Sequence, residues 1–173
     1  MIKLIVFLGN QGVNYAKTRH NFAWIFLDYY QEKQGPFSWQ KKFHGQWCKD
    51  REFYLLKPLG FMNESGRSVT AMQHYFAFKS SEILVVHDDI ELDFGEVKFQ
   101  QGGGLAGHKG LRSLKQYLGE EDFFRLRLGV GRPKQGDVAS FVLSRFSPEE
   151  QVLLDTICAE AFALLGERLT NFG

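Results

Sequence analysis

Two short aliphatic runs, Leu4-Ile5-Val6-Phe7-Leu8 and Ile83-Leu84-Val85-Val86, constrain this chain more than any other feature. Each has the length of a buried strand and falls far short of the roughly 18 apolar residues that span a bilayer. Between and after them come segments with apolar side chains at helical spacing. Asn21 to Lys33 places Phe22, Ile25, Phe26 and Tyr29 on one face, with Asp28 and Glu32 partly outside. Asn63 to Phe76 turns Val69, Met72 and Phe76 inward, with Ser65 as its candidate cap. Gly107 to Leu118 buries Leu111, Leu114 and Leu118, and Pro148 to about Arg168 is a closing amphipathic helix. Gln46 to Cys48 and Glu52 to Leu56 read as a hairpin around Lys49-Asp50-Arg51, ended by Pro58. Glu96 to Gln101 and Arg125 to Val130 complete the strands. Strands alternating with helices predict a single-domain α/β/α sandwich over residues 1–173, built on a mixed, mostly parallel twisted sheet.

Composition narrows the setting. At 173 residues, with 44% hydrophobic and 24% charged side chains, the chain suffices for one well-buried core. Met1-Ile2-Lys3 leads straight into the first strand, so neither a cleaved leader nor a membrane span is expected. Cys48 and Cys158 lie 110 positions apart, which argues against a disulfide framework and a multi-cysteine zinc site and for the cytoplasm. The net charge of +1 conceals a basic stretch: Lys98 to Lys134 holds eight basic residues against three acidic ones. Such a stretch marks either a polyanion site or an ordinary solvated surface.

The polar motifs cluster at the ends of strands, where open α/β sheets place ligand contacts. Gly9-Asn10-Gln11-Gly12 follows the first strand but lacks the G-x-G-x-x-G dinucleotide spacing, because position 7 is Phe. Its glycines are explained by a tight turn, whereas the Asn10 carboxamide is a ligand-contact candidate. His20 stands near a helix start, while His44 and His74 have no acidic neighbours and are read as surface or packing residues. His87-Asp88-Asp89 ends an apolar strand. A carboxylate there can orient a histidine from another segment for general-base work, or His87, Asp88, Asp89 and His108 can ligate a divalent metal. Turn capping remains the plain reading for Asp89 and Asp93. Gly102 to Gly110 precedes a helix, so its amides and Lys109 either meet a phosphate or form a merely flexible loop; the P-loop ending is missing.

Together these segments resemble the bacterial peptidyl-tRNA hydrolase family. The resemblance is carried by Leu4 to Gly12 running on to Tyr15 through Asn21, by Lys57-Pro58 and Phe61-Met62-Asn63-Glu64-Ser65-Gly66, by His87 to Leu92 and by Gly102 to Gly110. Arg125 to Pro133 and Phe141-Val142-Leu143 extend it through about Pro148. It implies hydrolysis of the ester between a peptide and the 3'-terminal ribose of tRNA, by a monomeric enzyme needing no metal or cofactor. By motif position His20 is the catalytic base and Asp88 its partner. Asn10, Tyr15, Met62, Asn63 and Lys109 are the substrate-binding residues, and Lys98, Arg127 and Arg132 face the acceptor-stem phosphates.

The chain departs from the family pattern in informative places. Phe7 and Gln11 stand where Gly and Pro are usual, altering packing and turn rigidity more than chemistry. Lys109 stands where the family usually has Asn; an ammonium cannot accept a hydrogen bond, so that subsite is organised differently. The sequence stops at Gly173, where the family usually continues, so a terminal contact to tRNA is expected to be absent. Two alternatives stay open: a non-catalytic RNA-binding relative, suggested by Lys109, and a metal-dependent hydrolase built on His87, Asp88 and His108.

Overall fold

The structure, a computed structural model, describes residues 1–170; the last three residues of the expected unit lie outside the described ones. The chain runs β1 (Leu4–Phe7), α1 (Phe22–Gln34), β2 (Gln40–Lys42), β3 (Gly45–Asp50), β4 (Phe53–Pro58), α2 (Ser65–Phe76) and β5 (Ile83–Asp89). It continues through β6 (Val97–Gln101), α3 (Lys109–Leu118), β7 (Phe124–Gly129), α4 (Val138–Val142) and α5 (Pro148–Thr170). The strands form one seven-stranded sheet in the order β2-β3-β4-β1-β5-β7-β6. Its four central strands pair in parallel, while β2-β3, β3-β4 and β6-β7 are antiparallel. The parallel portion is thus the centre of the sheet, and both edges are antiparallel: β2-β3-β4 joined by short turns on one side, and β6 beside β7, connected through α3, on the other.

Alternation along the strands divides the interior into two cores. Ile5, Phe7, Leu84 and Val86 face Phe22, Phe26, Ala161 and Leu165 of α1 and α5. Leu4, Val6, Ile83 and Val85 face Val69, Met72, Leu111 and Leu114 of α2 and α3. Burial on both faces is why β1 and β5 read as unbroken aliphatic runs. In α1 the fully buried face is Phe22, Ala23, Phe26, Leu27 and Tyr30, whereas the expected Ile25 and Tyr29 are half-buried. Tyr29 instead packs edge-on against Phe162 of α5, at 6.0 Å between ring centroids. The helix expected from Asn63 begins as a 3-10 turn at Met62–Glu64, and Ser65 donates to the Met62 carbonyl at 2.8 Å instead of capping α2. The expected strand ending at Val86 runs on to Asp89, which puts His87, Asp88 and Asp89 inside the hydrogen-bonded ladder. No helix among the described residues is long and apolar enough to cross a membrane.

Gly66 fixes the distance between α2 and α3. Its N–H donates to Ser113 Oγ at 2.9 Å, and a Cβ there would lie 2.2 Å from the Ser113 carbonyl oxygen. Backbone cannot swing aside as a side chain can, so any larger residue forces the helices apart. Gly66→Ala should destabilise the fold by about 1–3 kcal/mol. A lower urea midpoint with an unchanged slope is the expected measurement, and an unmoved midpoint would show that the helices separate without cost.

Candidate active site

Three segments meet at the carboxyl ends of β1 and β5. The loop after β1 is fixed by a reciprocal pair: the Asn10 N–H donates to Asn21 Oδ1 at 2.8 Å, and Asn21 Nδ2 donates to the Asn10 carbonyl at 2.9 Å. Asn10 Oδ1 accepts from the Met62 N–H at 2.7 Å, which joins that loop to the turn carrying Asn63. With its oxygen already accepting from the backbone there, the Asn10 side chain has both Nδ2 N–H donors available to a ligand. Asn10, Tyr15, Met62 and Asn63 all line one cavity of about 580 Å³. Tyr15 stands edge-on to the exposed Phe61, with ring centroids 6.2 Å apart.

His20 sits on a 3-10 turn, Arg19–Asn21, ahead of α1. Its neighbours hold it on both sides. Arg19 Nη1 donates to Ser144 Oγ at 2.6 Å and to the Arg145 carbonyl at 2.7 Å, while Nη2 pairs with Glu150 at 2.6 Å. The guanidinium also lies 4.3 Å from the Phe141 ring centroid. His20 Nδ1 donates to the Asp88 carboxylate, 3.0 Å from Oδ1 and 2.9 Å from Oδ2.

Asp88 has a second imidazole partner. His108 Nε2 lies 2.8 Å from Asp88 Oδ1. The proton on that ring is placed by the backbone: His108 caps α3, and its Nδ1 accepts from Gly110 N at 3.1 Å and Leu111 N at 3.3 Å. An acceptor nitrogen carries no proton, so the proton is on Nε2 and is given to Asp88. Burial raises the pKa of the Asp88 carboxyl, but the two imidazoles beside it and their hydrogen bonds outweigh that and hold it well below the usual carboxylate range. The result is an ionised, buried carboxylate that fixes His20 with Nδ1 protonated, leaving Nε2 as the basic nitrogen.

His20, Asp88 and His108 place one donor atom each within 4.8 Å of one another and are the candidate metal ligands among the described residues. The expected alternative named His87 in place of His20; the fold corrects this, since the cluster of candidate ligand atoms contains His20 and not His87, whose Nδ1 donates to the Asp88 carbonyl. The trio fits a cation poorly. A metal needs the lone pair on His108 Nε2, and freeing it moves the proton onto Nδ1, against the two amides that already point there.

The expected phosphate contacts are more engaged than their charges suggest. Lys98 and Arg127 face one another across β6 and β7, and Arg132 lines the cavity. Arg127 donates to Asp89 Oδ2 and to Gln100 Oε1, both at 2.7 Å, and Arg132 pairs with Glu91. Asp89 Oδ1 also caps the turn at Glu91 N, 2.8 Å, so the plain reading of Asp89 holds. Arg125 is buried, and its Nε and Nη1 donate to the carbonyls of Gly102 and Gly104 at 2.9 and 3.0 Å. The glycine-rich loop is therefore tethered from beneath. Lys109 is exposed at the first position of α3 and lines the cavity. Arg19, Asn21 and the capping role of His108 were not evident from sequence; their adjacency to His20 and to the glycine-rich loop was the available signal.

His87 supplies a pH test. Burial, and to a smaller degree the neighbouring His108, push its pKa well below the ordinary 6.5, despite Asp89 nearby. A depressed imidazole contributes stability that is present above its unfolded value and is lost as pH falls toward the folded one. Between pH 6.5 and 4.5 the wild type should lose about 1.4 kcal/mol per pH unit through this group. Urea titrations of His87→Gln should show a slope reduced by that amount; an identical slope would rule His87 out as the source.

Comparison with known proteins gives one consistent result. A family model described as Peptidyl-tRNA hydrolase matches residues 4–171. A protein of Coxiella burnetii named peptidyl-tRNA hydrolase is 40% identical over 168 residues, covering 96% of this chain and 90% of the relative. One of Geotalea uraniireducens with the same name is 47% identical over 165 residues, covering 90% and 86%. The crystal structure of peptidyl-tRNA hydrolase from Acinetobacter baumannii superposes with a TM-score of 0.86 at 32% identity, covering 98% of this chain and 91% of that one.

Proposed function

Because the chain belongs to the peptidyl-tRNA hydrolase family, we propose that its cleft hydrolyses the ester joining a peptide to the 3'-terminal ribose of tRNA, with His20 as the base and Asp88 and His108 holding it. The observation that carries this reading is the shared carboxylate between two imidazoles, each in an assigned tautomer. His20 Nε2 takes a proton from water as the oxygen attacks the ester carbonyl. The imidazolium that forms is stabilised by the Asp88 charge, which His108 keeps in place as a neutral donor. The proton then passes to the departing ribose oxygen. Donors from Asn10 and Asn63 hold the acyl group, and the developing negative charge on its carbonyl oxygen is stabilised by the same polar rim. No step requires a metal. Tyr15 and Met62 shape the apolar side of the cleft.

The RNA lies along the β6-β7 edge, where Lys98, Arg127 and Arg132 meet backbone phosphates without reading sequence. Arg127 and Arg132 would exchange their carboxylate partners for phosphate, whereas Lys98 has no such partner to give up among the described residues. A blocked α-amino group followed by a peptide bond distinguishes peptidyl-tRNA from aminoacyl-tRNA. The enzyme acts as a cytoplasmic monomer. Lys109 touches none of the trio's hydrogen bonds, so it gives the non-catalytic alternative no support.

The test is hydrolysis of an N-acetyl-aminoacyl-tRNA in excess chelator. The wild type should turn over, His20→Ala should be slower by about 10²–10⁴-fold, and the same tRNA with a free amino group should be a poor substrate. Binding without cleavage by the wild type would overturn the proposal. Lys109→Asn should shift KM or kcat severalfold; if neither moves, the Lys109 ammonium does not reach the substrate.

A further inference from the structure

A second cavity, of about 420 Å³, lies beside the catalytic one and shares a wall with it. Consecutive residues of one segment serve both: Phe61, Met62 and Asn63 line the catalytic cavity, and Leu59, Gly60 and Glu64 line the other. The remaining wall is basic, with Lys41, Lys42, His44 and Arg67. Three permanent cations thus face a single carboxylate, and Glu64 already accepts from the Phe61 N–H at 3.0 Å. Lys41 and Arg67 have no ion-pair partner among the described residues. Lys42 Nζ sits 3.8 Å from the Tyr75 ring centroid, a contact that orients the ammonium without neutralising it.

The recess is built into the fold. Lys42 pairs with Gly45 across a two-residue turn, so Phe43 and His44 form its tip, with φ of 58° and 52°. Left-handed backbone at two bulky residues is costly and persists where surrounding structure over-determines it. Here the Phe43 ring is buried against Trp47, Tyr75 and Phe76, and the His44 carbonyl accepts from Leu59 N at 3.0 Å. The shared segment is also tied to the Asn10 loop, through Gln11 N to the Gly60 carbonyl at 2.8 Å and Gly60 N to Gln11 Oε1 at 3.1 Å.

We infer that this recess binds acidic side chains of the peptide being released, so that the enzyme prefers peptidyl-tRNAs whose peptide carries carboxylates a few residues from the ester. The inference rests on the proposed orientation of substrate. The ester sits at the ends of the central strands, and RNA occupies the β6-β7 edge. We take the acyl chain to leave past Phe61, in the segment whose residues line both cavities, toward the opposite edge, where β2 and β3 lie. An extended chain advances about 3.3 Å per residue, so varying the second to fifth residues from the ester scans carboxylates over about 3–13 Å beyond the ester-linked residue. Carboxylates meeting a guanidinium and ammonium groups there form charge-assisted hydrogen bonds.

The experiment compares N-acetyl-pentapeptidyl-tRNAs of one tRNA and one ester-linked residue, carrying Asp, Ser or Lys at the second to fifth positions. At low salt the wild type should rank them Asp over Ser over Lys in kcat/KM. The expected spread is roughly three- to tenfold, the worth of a few exposed ion pairs, and molar salt should erase it. The double variant Lys42→Glu, Arg67→Glu should flatten or reverse the order while cleaving N-acetyl-aminoacyl-tRNA, which is too short to reach the recess, at the wild-type rate. Equal kcat/KM across the three peptides in the wild type would overturn the inference. So would a variant that loses affinity for deacylated tRNA by the same factor, since RNA would then be the occupant. Failure of the wild type to cleave even N-acetyl-aminoacyl-tRNA would overturn the hydrolase reading, and this inference with it.

Discussion

A single buried carboxylate organises the site. Asp88 is ionised inside the protein because two imidazoles donate to it from opposite sides of the chain, His20 from the turn before α1 and His108 from the start of α3. Removing either donor would leave an underpaired charge in a dry setting, which costs more than an ordinary hydrogen bond is worth. The surrounding construction serves this arrangement. Arg19 clamps the His20 turn to the segment before α5, Asn21 locks the Asn10 loop, and Arg125 holds the glycine-rich loop that delivers His108. The parallel centre of the sheet brings β1 and β5 side by side, so their loops are neighbours before any side chain is considered.

Much of this was legible in the sequence because it depends on local pattern. β1 and β5 are buried on both faces and read as aliphatic runs; α2 and α3 carry apolar residues at helical spacing; His87-Asp88-Asp89 ends its strand. The pairing of His20 with Asp88 joins residues 68 positions apart, and only the resemblance to a family supplied it. Other features were hidden for physical reasons. The β2-β3 turn is made by Phe43 and His44, which lack the Asn-Gly chemistry that announces such turns and are held by distant aromatic packing instead. Histidine as a helix cap has no strong sequence signature, since serine, threonine, aspartate and asparagine are the usual caps.

Charge was the least transferable part of the reading. The basic surplus from Lys98 to Lys134 was compatible with either a polyanion site or an ordinary solvated surface. The structure spends much of it internally: Arg125 on loop carbonyls, Arg127 on Asp89, Arg132 on Glu91 and Lys115 on Glu121. Meanwhile residues 1–97, with eleven basic and eleven acidic side chains, contain a local basic recess, because Lys41, Lys42 and Arg67 converge there on the single carboxylate of Glu64. A sum over sequence cannot distinguish a cation that is neutralised from one that is presented.

The cap on α3 has a dynamic consequence. The amides of Gly110 and Leu111 are bound to the same ring whose other nitrogen holds Asp88, so the first turn of the helix cannot fray without releasing one support of the carboxylate. Helix ends are ordinarily the first places where exchange with solvent occurs. In this protein that opening and the disassembly of the hydrogen-bonded trio are one event, and two backbone protons outside the reacting groups keep time with the readiness of the site.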